Sequence, residues 1–256
     1  MTQSVKMHGA VIILYFVGFL IKASSENTTH EMQSKIIGGH PIDIKSRPFI
    51  LSLHNSHGFL CGASILSRTF AITALHCLEK STQYYVRAGS NKTNKDGHMH
   101  KVTNIHVYND TFDRFSKLPH HDIALFEVKP PFRFSKTVRP VRLPRSSTYE
   151  IQRELLVCGW GYTNKEKISD VLMGVYVEYV PFEICSSYYG SDVKNNYHLC
   201  YGTRGKDACF GDSGGPLANR KTIYGIVSFG NGCGDITGVY VKVSSYLKWI
   251  KTIMNS

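Results

Sequence analysis

No stretch of the 256-residue chain stays apolar for the roughly 20 residues that a membrane-spanning helix needs. The longest apolar run, AVIILYFVGFLI, covers only Ala10–Ile21. Lys6 precedes it and the small residues of KASS, Lys22–Ser25, follow it, which is the pattern of a secretory signal peptide rather than of a buried helix. We therefore expect residues 1–23 to be removed, the protein to be secreted to the extracellular space, and no membrane span.

Cysteine pairs with the Cys-x-x-Cys spacing are absent, which argues against a zinc-ribbon site. Export predicts an oxidising environment in which cysteines form disulfides. Their number is odd, so at least one cysteine is unpaired or bonds another molecule. The seven cysteines are Cys61, Cys77, Cys158, Cys185, Cys200, Cys209 and Cys233.

Blocks of five or more like charges are also absent, although the formal net charge is +11. The 27 basic and 17 acidic residues after position 35 leave +10. Because these charges are scattered, they favour a role in solubility, with weak binding to polyanions such as sulfated sugars as the alternative. No nucleic-acid-binding motif is present, so no nucleic-acid partner is expected. Sequons at Asn27, Asn91 and Asn109 are typical of a secreted glycoprotein, although each is a weak signal alone.

Helical periodicity is scarce from Ile36 onward, whereas glycine and aromatic residues are frequent. Short runs rich in Val, Ile, Tyr and Phe alternate with Gly, Pro, Asn and Asp. This pattern predicts an all-β fold, either an antiparallel sandwich or a pair of barrels, and not a βαβ fold. The runs are PFILSLHN, GASILS, FAITALHC, YYVRAG, HKVTNIHVY, DIALFEVK, ELLVCGWGY, VLMGVYVEYV, TIYGIVSFG and GVYVKV.

The C-terminal segment SSYLKWIKTIMNS changes to a helical period and predicts a short α-helix lying on the sheet. Ser244 or Ser245 is expected to cap its start. The polar, proline-bearing segment 135–150 is expected to join two halves of the chain. The apolar positions with helical spacing are Leu247, Ile250 and Ile253 or Met254.

The segment GKDACFGDSGGP, residues 205–216, places a serine among two aspartates and four glycines. A serine hydroxyl is a weak nucleophile at neutral pH, so it needs a neighbouring base, which in turn needs an orienting acid. Ser213 is the candidate nucleophile, His76 in AITALHC the candidate base, and Asp122 in HHDIALFEV the candidate acid.

The motifs TALHC, DIAL and GDSGGP in this order, together with IIGG and GWG, resemble the chymotrypsin-type serine endopeptidases, and specifically their trypsin-like branch. The resemblance runs from about Ile36 to the C-terminus. It implies two six-stranded antiparallel β-barrels with the active site between them. It also implies a monomer that hydrolyses peptide bonds through an acyl-enzyme, acts on protein or peptide substrates, meets proteinaceous serine-protease inhibitors and uses no cofactor.

The resemblance assigns catalytic roles to His76 as general base and then general acid, to Asp122 as the group that orients the imidazole, and to Ser213 as nucleophile. The backbone N–H groups of Gly211 and Ser213 would form the oxyanion hole, where glycine allows an unusual backbone angle. Buried Asp212 would need a cation.

That cation is implied to be the α-amino group released at Ile36 when the bond after Lys35 is cut. Residues 24–35 are then an activation peptide, residues 36–256 the protease domain, and the secreted form a zymogen. The activating enzyme would be trypsin-like, or the protein itself. The short pro-segment favours an effector of the kind arthropods use in digestion or venom over a clip-domain cascade enzyme.

The primary specificity pocket implied by the resemblance has Asp207 at its floor, with Ser228, Gly230 and Gly238 binding substrate. A carboxylate at the floor predicts cleavage after Arg or Lys. Two features depart from the common pattern: Phe229 stands where many relatives have tryptophan, and the segment Cys233–Tyr240 is about two residues shorter. A chymotrypsin- or elastase-like preference, and an inactive homologue that acts as a binding protein, are therefore the alternatives.

Three disulfides are implied by position, and one common bridge is missing because its sites hold Leu155 and Asn219. Cys158 is then left over, and burial as a small apolar residue is favoured over an intermolecular bond. The implied pairs are Cys61 with Cys77, Cys185 with Cys200, and Cys209 with Cys233.

Metal binding is not expected. Ser90 and Asn91 stand where a calcium-binding relative would have a glutamate ligand. His98 and His100 form a His-x-His pattern, but the sequence shows no third ligand near them, so a solvated loop is favoured.

Overall fold

Fifteen β-strands and two short α-helices make up the part of the chain that the computed structural model describes, namely residues 38–78, 83–108, 121–146, 151–164, 167–206, 208–232 and 237–256. The strands are β1 (His40–Pro41), β2 (Ile50–Asn55), β3 (Gly58–Ile65), β4 (Phe70–Thr73), β5 (Tyr85–Ala88), β6 (His98–Val107), β7 (Ala124–Lys129), β8 (Glu154–Gly159), β9 (Tyr162–Asn164), β10 (Lys167–Ile168), β11 (Met173–Val180), β12 (His198–Tyr201), β13 (Pro216–Ala218), β14 (Ile223–Phe229) and β15 (Gly238–Lys242). The helices are α1 (Phe182–Tyr189) and α2 (Leu247–Met254).

The first half of the described chain is a closed antiparallel barrel with the strand order β2-β3-β4-β7-β6-β5, in which β5 returns to pair with β2. Its core is aliphatic and aromatic, because the strands carry the Val-, Ile- and Phe-rich runs that favour a pleated, buried surface. Leu53, Ile72, Val86 and Phe126 are fully buried there.

The second half forms another closed ring of six antiparallel strands, β8, β11, β12, β15, β14 and β13, and the short strand β1 adds to the outer edge of β11. Val157, Val177, Leu217 and Tyr240 fill its interior. The pair of six-stranded barrels confirms the predicted all-β architecture. Strand β7 ends at Lys129 and β8 begins at Glu154, so the crossing between the barrels contains the polar segment 135–150.

The two barrels meet where strand β3 lies against the loop before β13. The N–H of Gly62 donates to the carbonyl of Ser213 at 2.8 Å. A Cβ on Gly62 would lie 2.7 Å from the Cα of Gly215, so a side chain at position 62 would force the barrels apart. This close approach positions the loop that carries Ser213 on the first barrel.

The C-terminal helix α2 confirms the predicted short helix, and Leu247 and Ile250 are buried on it. The predicted serine cap is wrong. A 3-10 turn, Val243–Tyr246, leads into α2, whose N-cap is Tyr246 with no side-chain hydrogen bond. The hydroxyl of Ser245 instead donates to the carbonyl of Asn196, because the 3-10 turn directs it away from the first turn of α2.

Helix α1 was not anticipated by the sequence pattern. It covers eight residues, of which only Cys185 is buried, so it carries little helical periodicity to detect. Its ends are nonetheless marked in the sequence, since Pro181 precedes it and Gly190, at φ +57°, terminates it. No helix in the described parts of the chain is long and apolar enough to span a membrane.

Candidate active site

His76 and Asp122 are joined by two hydrogen bonds at the edge of the first barrel. His76 lies in a 3-10 turn, Leu75–Cys77, directly after β4, and Asp122 lies just before β7, which pairs with β4. The ring Nδ1 of His76 lies 2.8 Å from Oδ2 of Asp122, and its backbone N–H donates to Oδ1 at 2.9 Å. Because a carboxylate only accepts, Nδ1 carries the proton and Nε2 is left free to act as a base.

The electrostatics of the pair favour the charged form of both groups. Burial opposes protonation of His76, but the hydrogen bond to Asp122 and the charge of Asp122 outweigh it and raise the pKa of His76 above 6.5. Burial likewise opposes ionisation of Asp122, yet its bonds to His76 and Ser228 lower its pKa below 3.8. Asp122 is 1% exposed, so it is an ionised acid held inside the protein by hydrogen-bond donors.

Ser228, which the sequence suggested only for substrate binding, also contacts Asp122. Its hydroxyl donates to Oδ2 of Asp122 at 2.5 Å, from strand β14 of the second barrel. It also lines the cavity beside His76. The contact links the acid of the first barrel to the second barrel, and no local sequence signal marks it, because the two residues are 106 positions apart.

Ser213 and His76 line the same cavity, which has a volume of about 380 Å³. The predicted pocket residues Ser228, Gly230 and Gly238 line it as well. Among the described residues, no hydrogen bond joins the hydroxyl of Ser213 to the ring of His76, so the structure brings the two side chains to one cavity without bonding them.

The loop around Ser213 takes a conformation that only glycine adopts without strain. Gly211 has φ +92° and Gly214 has φ +75°. A Cβ on Gly214 would lie 2.1 Å from Oγ1 of Thr73. Within the described part of the chain, neither the N–H of Gly211 nor that of Ser213 donates a hydrogen bond, so both donors are free to bind a ligand.

Asp212 is completely buried beneath this loop. Its oxygens accept from the N–H groups of Gly161 at 2.8 Å and Cys209 at 3.0 Å, and burial raises its pKa to about 6 despite these bonds. No cationic side chain in the described ranges pairs with it. The predicted partner Ile36 lies outside the described residues.

The position of Asp212 explains why the GWG motif, Gly159–Gly161, has glycine at both ends. A Cβ on Gly159 would lie 2.2 Å from Oδ1 of Asp212, and one on Gly161 would lie 2.4 Å from Oδ2. Both positions therefore require glycine because they form the wall against which the carboxylate lies. The sequence contained this signal, but only the fold shows what it accommodates.

The cavity has an open wall at Gly230, where a Cβ would meet no atom closer than 3.8 Å. Tyr189, at the end of α1, lies behind this wall: its hydroxyl would be 3.9 Å from that Cβ, and it donates to the carbonyl of Thr237 at 2.5 Å. The aromatic ring of Phe229 packs edge-on against Tyr189. The predicted floor residue Asp207 lies outside the described residues.

The structure contains the Cys61–Cys77 and Cys185–Cys200 disulfides. The first ties the turn that carries His76 to strand β3, and the second ties α1 to β12. Cys209 is also disulfide-bonded, and its predicted partner, Cys233, lies outside the described residues.

Cys158 is a free thiol, 1% exposed, among Ile44, Ile50, Trp160 and Leu172. Burial raises its pKa to about 12, so it stays protonated. These features agree with the expected packing role.

The histidines and the asparagine considered for metal or glycan sites have structural contacts. His98 and His100 begin strand β6, and buried His100 places Nδ1 2.6 Å from the carbonyl oxygen of Pro130, so the expected solvated loop is wrong. The amide oxygen of Asn91 accepts from the N–H of Ile44, and its glycosylation stays a prediction. The sequons at Asn27 and Asn109 lie outside the described residues.

Metal ligands are scarce in the ranges the structure describes. The His, Cys, Asp and Glu side chains there form one group of three with metal-ligand spacing, Cys61, His76 and Cys77. The two cysteines of that group share a disulfide and offer no thiolate.

The fold has two six-stranded barrels. Beside their junction, a serine and a histidine bonded to a buried aspartate line one cavity, and these features define a chymotrypsin-type serine protease. The Trypsin family model matches residues 36–250, and the chain therefore belongs to the trypsin family and is a serine-type endopeptidase.

Relatives and solved structures agree with this family. Trypsin epsilon of Drosophila erecta is 34% identical over 230 residues, covering 86% of this chain and 88% of the relative. Trypsin of Phaedon cochleariae is 33% identical over 256 residues, covering 93% and 96%. The structure of neuropsin, described as a serine protease expressed in the limbic system of mouse brain, superposes with a TM-score of 0.77 at 26% identity, covering 84% of this chain and 98% of that one.

Proposed function

We propose that this protein is a secreted serine endopeptidase that cleaves peptide bonds after Arg or Lys and is made as a zymogen. The observation that carries the proposal is the bonded pair of His76 and buried Asp122 at the rim of the cavity that Ser213 lines. Membership of the trypsin family supports the reaction class. The extracellular location rests on the predicted signal peptide, residues 1–23.

The proposed reaction begins when the hydroxyl oxygen of Ser213 attacks the scissile carbonyl and Nε2 of His76 takes its proton. Asp122 keeps Nδ1 protonated and stabilises the imidazolium. The free N–H groups of Gly211 and Ser213 would bind the oxyanion, and each such donor typically stabilises the transition state by about 3 to 4 kcal/mol. His76 then protonates the leaving amine, and water hydrolyses the acyl-enzyme by the same steps.

The preference for Arg or Lys rests on Asp207 as the pocket floor and on glycines at positions 230 and 238, which leave room for a long side chain. The test is cleavage-site profiling of the activated protein. Asp207→Ser should abolish most cleavage after Arg and Lys while sparing labelling of Ser213. Gly230→Val should raise KM for long side chains, because its branches would enter the cavity. A profile dominated by aromatic or small residues would instead support the alternative preference.

The zymogen proposal divides the chain into a signal peptide, residues 1–23, an activation peptide, residues 24–35, and a protease domain, residues 36–256. The new α-amino group of Ile36 would pair with Asp212, whose buried carboxylate has backbone donors but no cation among the described residues. N-terminal sequencing of the active form should find Ile36 first. Activity in an uncleavable Lys35→Gln variant would contradict the proposal.

A binding protein without catalysis is the rival on the same fold, because fold alone does not establish activity. A fluorophosphonate probe distinguishes the two, since only an activated serine is labelled. The matched control is Ser213→Ala. We propose protein or peptide substrates and proteinaceous serine-protease inhibitors as partners of a monomer, which active-site titration and gel filtration would check.

A further inference from the structure

Two further cavities lie away from the residues that form the proposed active site. One, of about 570 Å³, is lined by Arg142, Arg145, Arg220 and Lys221. The other, of about 680 Å³, shares three of these cations and adds Lys45, Arg47 and Arg139. We call these seven side chains and the two cavities they line the basic groove. No described aspartate or glutamate lines either cavity.

Backbone hydrogen bonds explain why cations from three distant segments converge. The N–H of Arg139 donates to the carbonyl of Pro48, which brings the segment 139–145 beside Arg47. The N–H of Arg142 donates to the carbonyl of Lys221, so the same segment also lies along the turn between β13 and β14. The scattered charges of the sequence therefore become one patch only after folding.

Arg47 indicates that the basic groove is built to hold an anion. It is 5% exposed and lines the larger cavity. Its Nη1 donates to the carbonyl of Ser46 at 2.7 Å, but its Nε has no hydrogen-bond partner. A buried guanidinium without a counter-ion is costly. Within the described ranges, Lys45 is the one groove cation within 4.0 Å of a carboxylate, that of exposed Asp43. The other six have no carboxylate partner there, and Arg47 and Arg139 donate only to the backbone carbonyls of Ser46 and Ser135.

We propose that the basic groove binds a sulfated linear polysaccharide of the extracellular matrix or cell surface. Five of the seven cations are arginines, whose planar guanidinium suits bidentate contact with sulfate oxygens. The two cavities are contiguous, because Arg142, Arg220 and Lys221 line both, so a chain with an anion on each repeat fits them.

Other polyanions fit the basic groove less well. Of the large hydrophobic side chains that the described residues expose, only Tyr176 lines it, whereas protein partners use clustered aromatic anchors and single-stranded nucleic acids use stacking aromatics. The choice of an extracellular polysaccharide rests on the proposed secretion, but binding does not depend on catalysis.

The test is calorimetric titration of the full chain with a heparin octasaccharide at an ionic strength of about 0.15 M. Replacing Arg142, Arg220 and Lys221 together by alanine should weaken binding about tenfold or more and flatten its salt dependence. The matched control removes three exposed cations elsewhere, Lys101→Ala, Lys129→Ala and Lys248→Ala, and should retain most of the affinity. Equal losses in both variants, or no binding by the wild type, would overturn the proposal.

Two further experiments test which anion binds and whether Arg47 contributes. A poly-glutamate peptide of equal charge that binds as tightly as the octasaccharide would overturn the polysaccharide assignment in favour of an acidic protein partner. Arg47→Met should weaken octasaccharide binding without lowering the melting temperature of the free protein, because it removes an uncompensated buried charge. If Arg47→Met lowers the melting temperature but leaves octasaccharide binding unchanged, the proposal that Arg47 helps the basic groove to bind an anion is wrong. Labelling of Ser213 by fluorophosphonate, measured on the same variants, reports the proposed catalytic function separately.

Discussion

Both carboxylate oxygens of Asp122 contact His76, one at the ring nitrogen Nδ1 and the other at the backbone N–H. The first contact selects the tautomer of the imidazole and the second holds the turn that carries it. Ser228 adds a third donor from the opposite barrel. Asp122 therefore orients the imidazole of His76 and also links the two barrels at the site.

Replacing Asp122 by asparagine should leave the fold intact and lower kcat by about 10⁴-fold, because an amide that donates to Nδ1 selects the wrong tautomer. The measurement is hydrolysis of an arginyl anilide by activated wild type and variant. Ser228→Ala is a milder comparison that removes only one donor to Asp122, and it should lose much less activity. A variant Asp122→Asn that keeps most of its activity would show that the pair does not act as proposed.

The pH dependence of kcat/KM should report His76. The base must be neutral, and Asp122 raises the pKa of His76 above 6.5, so activity should rise with pH through a midpoint above 6.5. The charged pair stabilises the fold fully between pH 3.8 and 6.5. The contribution of His76 is lost as pH rises through its raised pKa, and that of Asp122 is lost as pH falls through its lowered pKa. A pH–rate profile for kcat/KM checks the first statement. A midpoint at or below 6.5 would contradict it.

Gly161→Ala should impair both stability and activity, because its Cβ would lie 2.4 Å from the carboxylate of Asp212 and displace it. We expect a loss of about 2 to 4 kcal/mol in the free energy of unfolding. Gly190→Ala is the matched control. Its Cβ meets no atom within 4 Å, so it should lose stability only through its backbone conformation (φ +57°, ψ −131°), by about 1 to 3 kcal/mol, and should keep its activity. Thermal melts and arginyl-anilide assays on both variants make the comparison.

The effect of Asp212→Asn on the free energy of unfolding should differ before and after cleavage at Lys35. In the uncleaved chain, burial raises the pKa of Asp212 to about 6, so the wild type loses stability as pH rises from about 4 through that value. The loss relative to Asp212→Asn should be on the order of 3 kcal/mol, since each pKa unit corresponds to about 1.4 kcal/mol. After cleavage, the Ile36 amino group should remove this loss. Denaturation at several pH values on both forms tests it, and identical pH dependence in the two forms would argue against the ion pair.

Most strands of the two barrels can be predicted from the sequence, because short runs of Val, Ile and Phe bounded by Gly and Asn are a local signal for a strand. The sequence pattern does not predict strand β12 or helix α1, because neither carries a strong local signal. Each is short, and the Cys185–Cys200 disulfide and the surrounding packing hold them more than their own periodicity does. The serine cap of α2 failed because a 3-10 turn precedes the helix and redirects Ser245.

The amino-acid sequence by itself determined which reactive groups the site can use, because the predicted catalytic residues His76, Asp122 and Ser213 each lie in a short motif whose residue types the proposed reaction requires. Only the tertiary structure decided which distant groups meet. It brought Ser228 to Asp122 across two barrels, laid Gly159 and Gly161 against Asp212, and gathered cations from three segments into the basic groove. The physical reason is that bond-forming ability belongs to individual side chains, whereas proximity across many residues is set by backbone pairing and the packing of whole barrels.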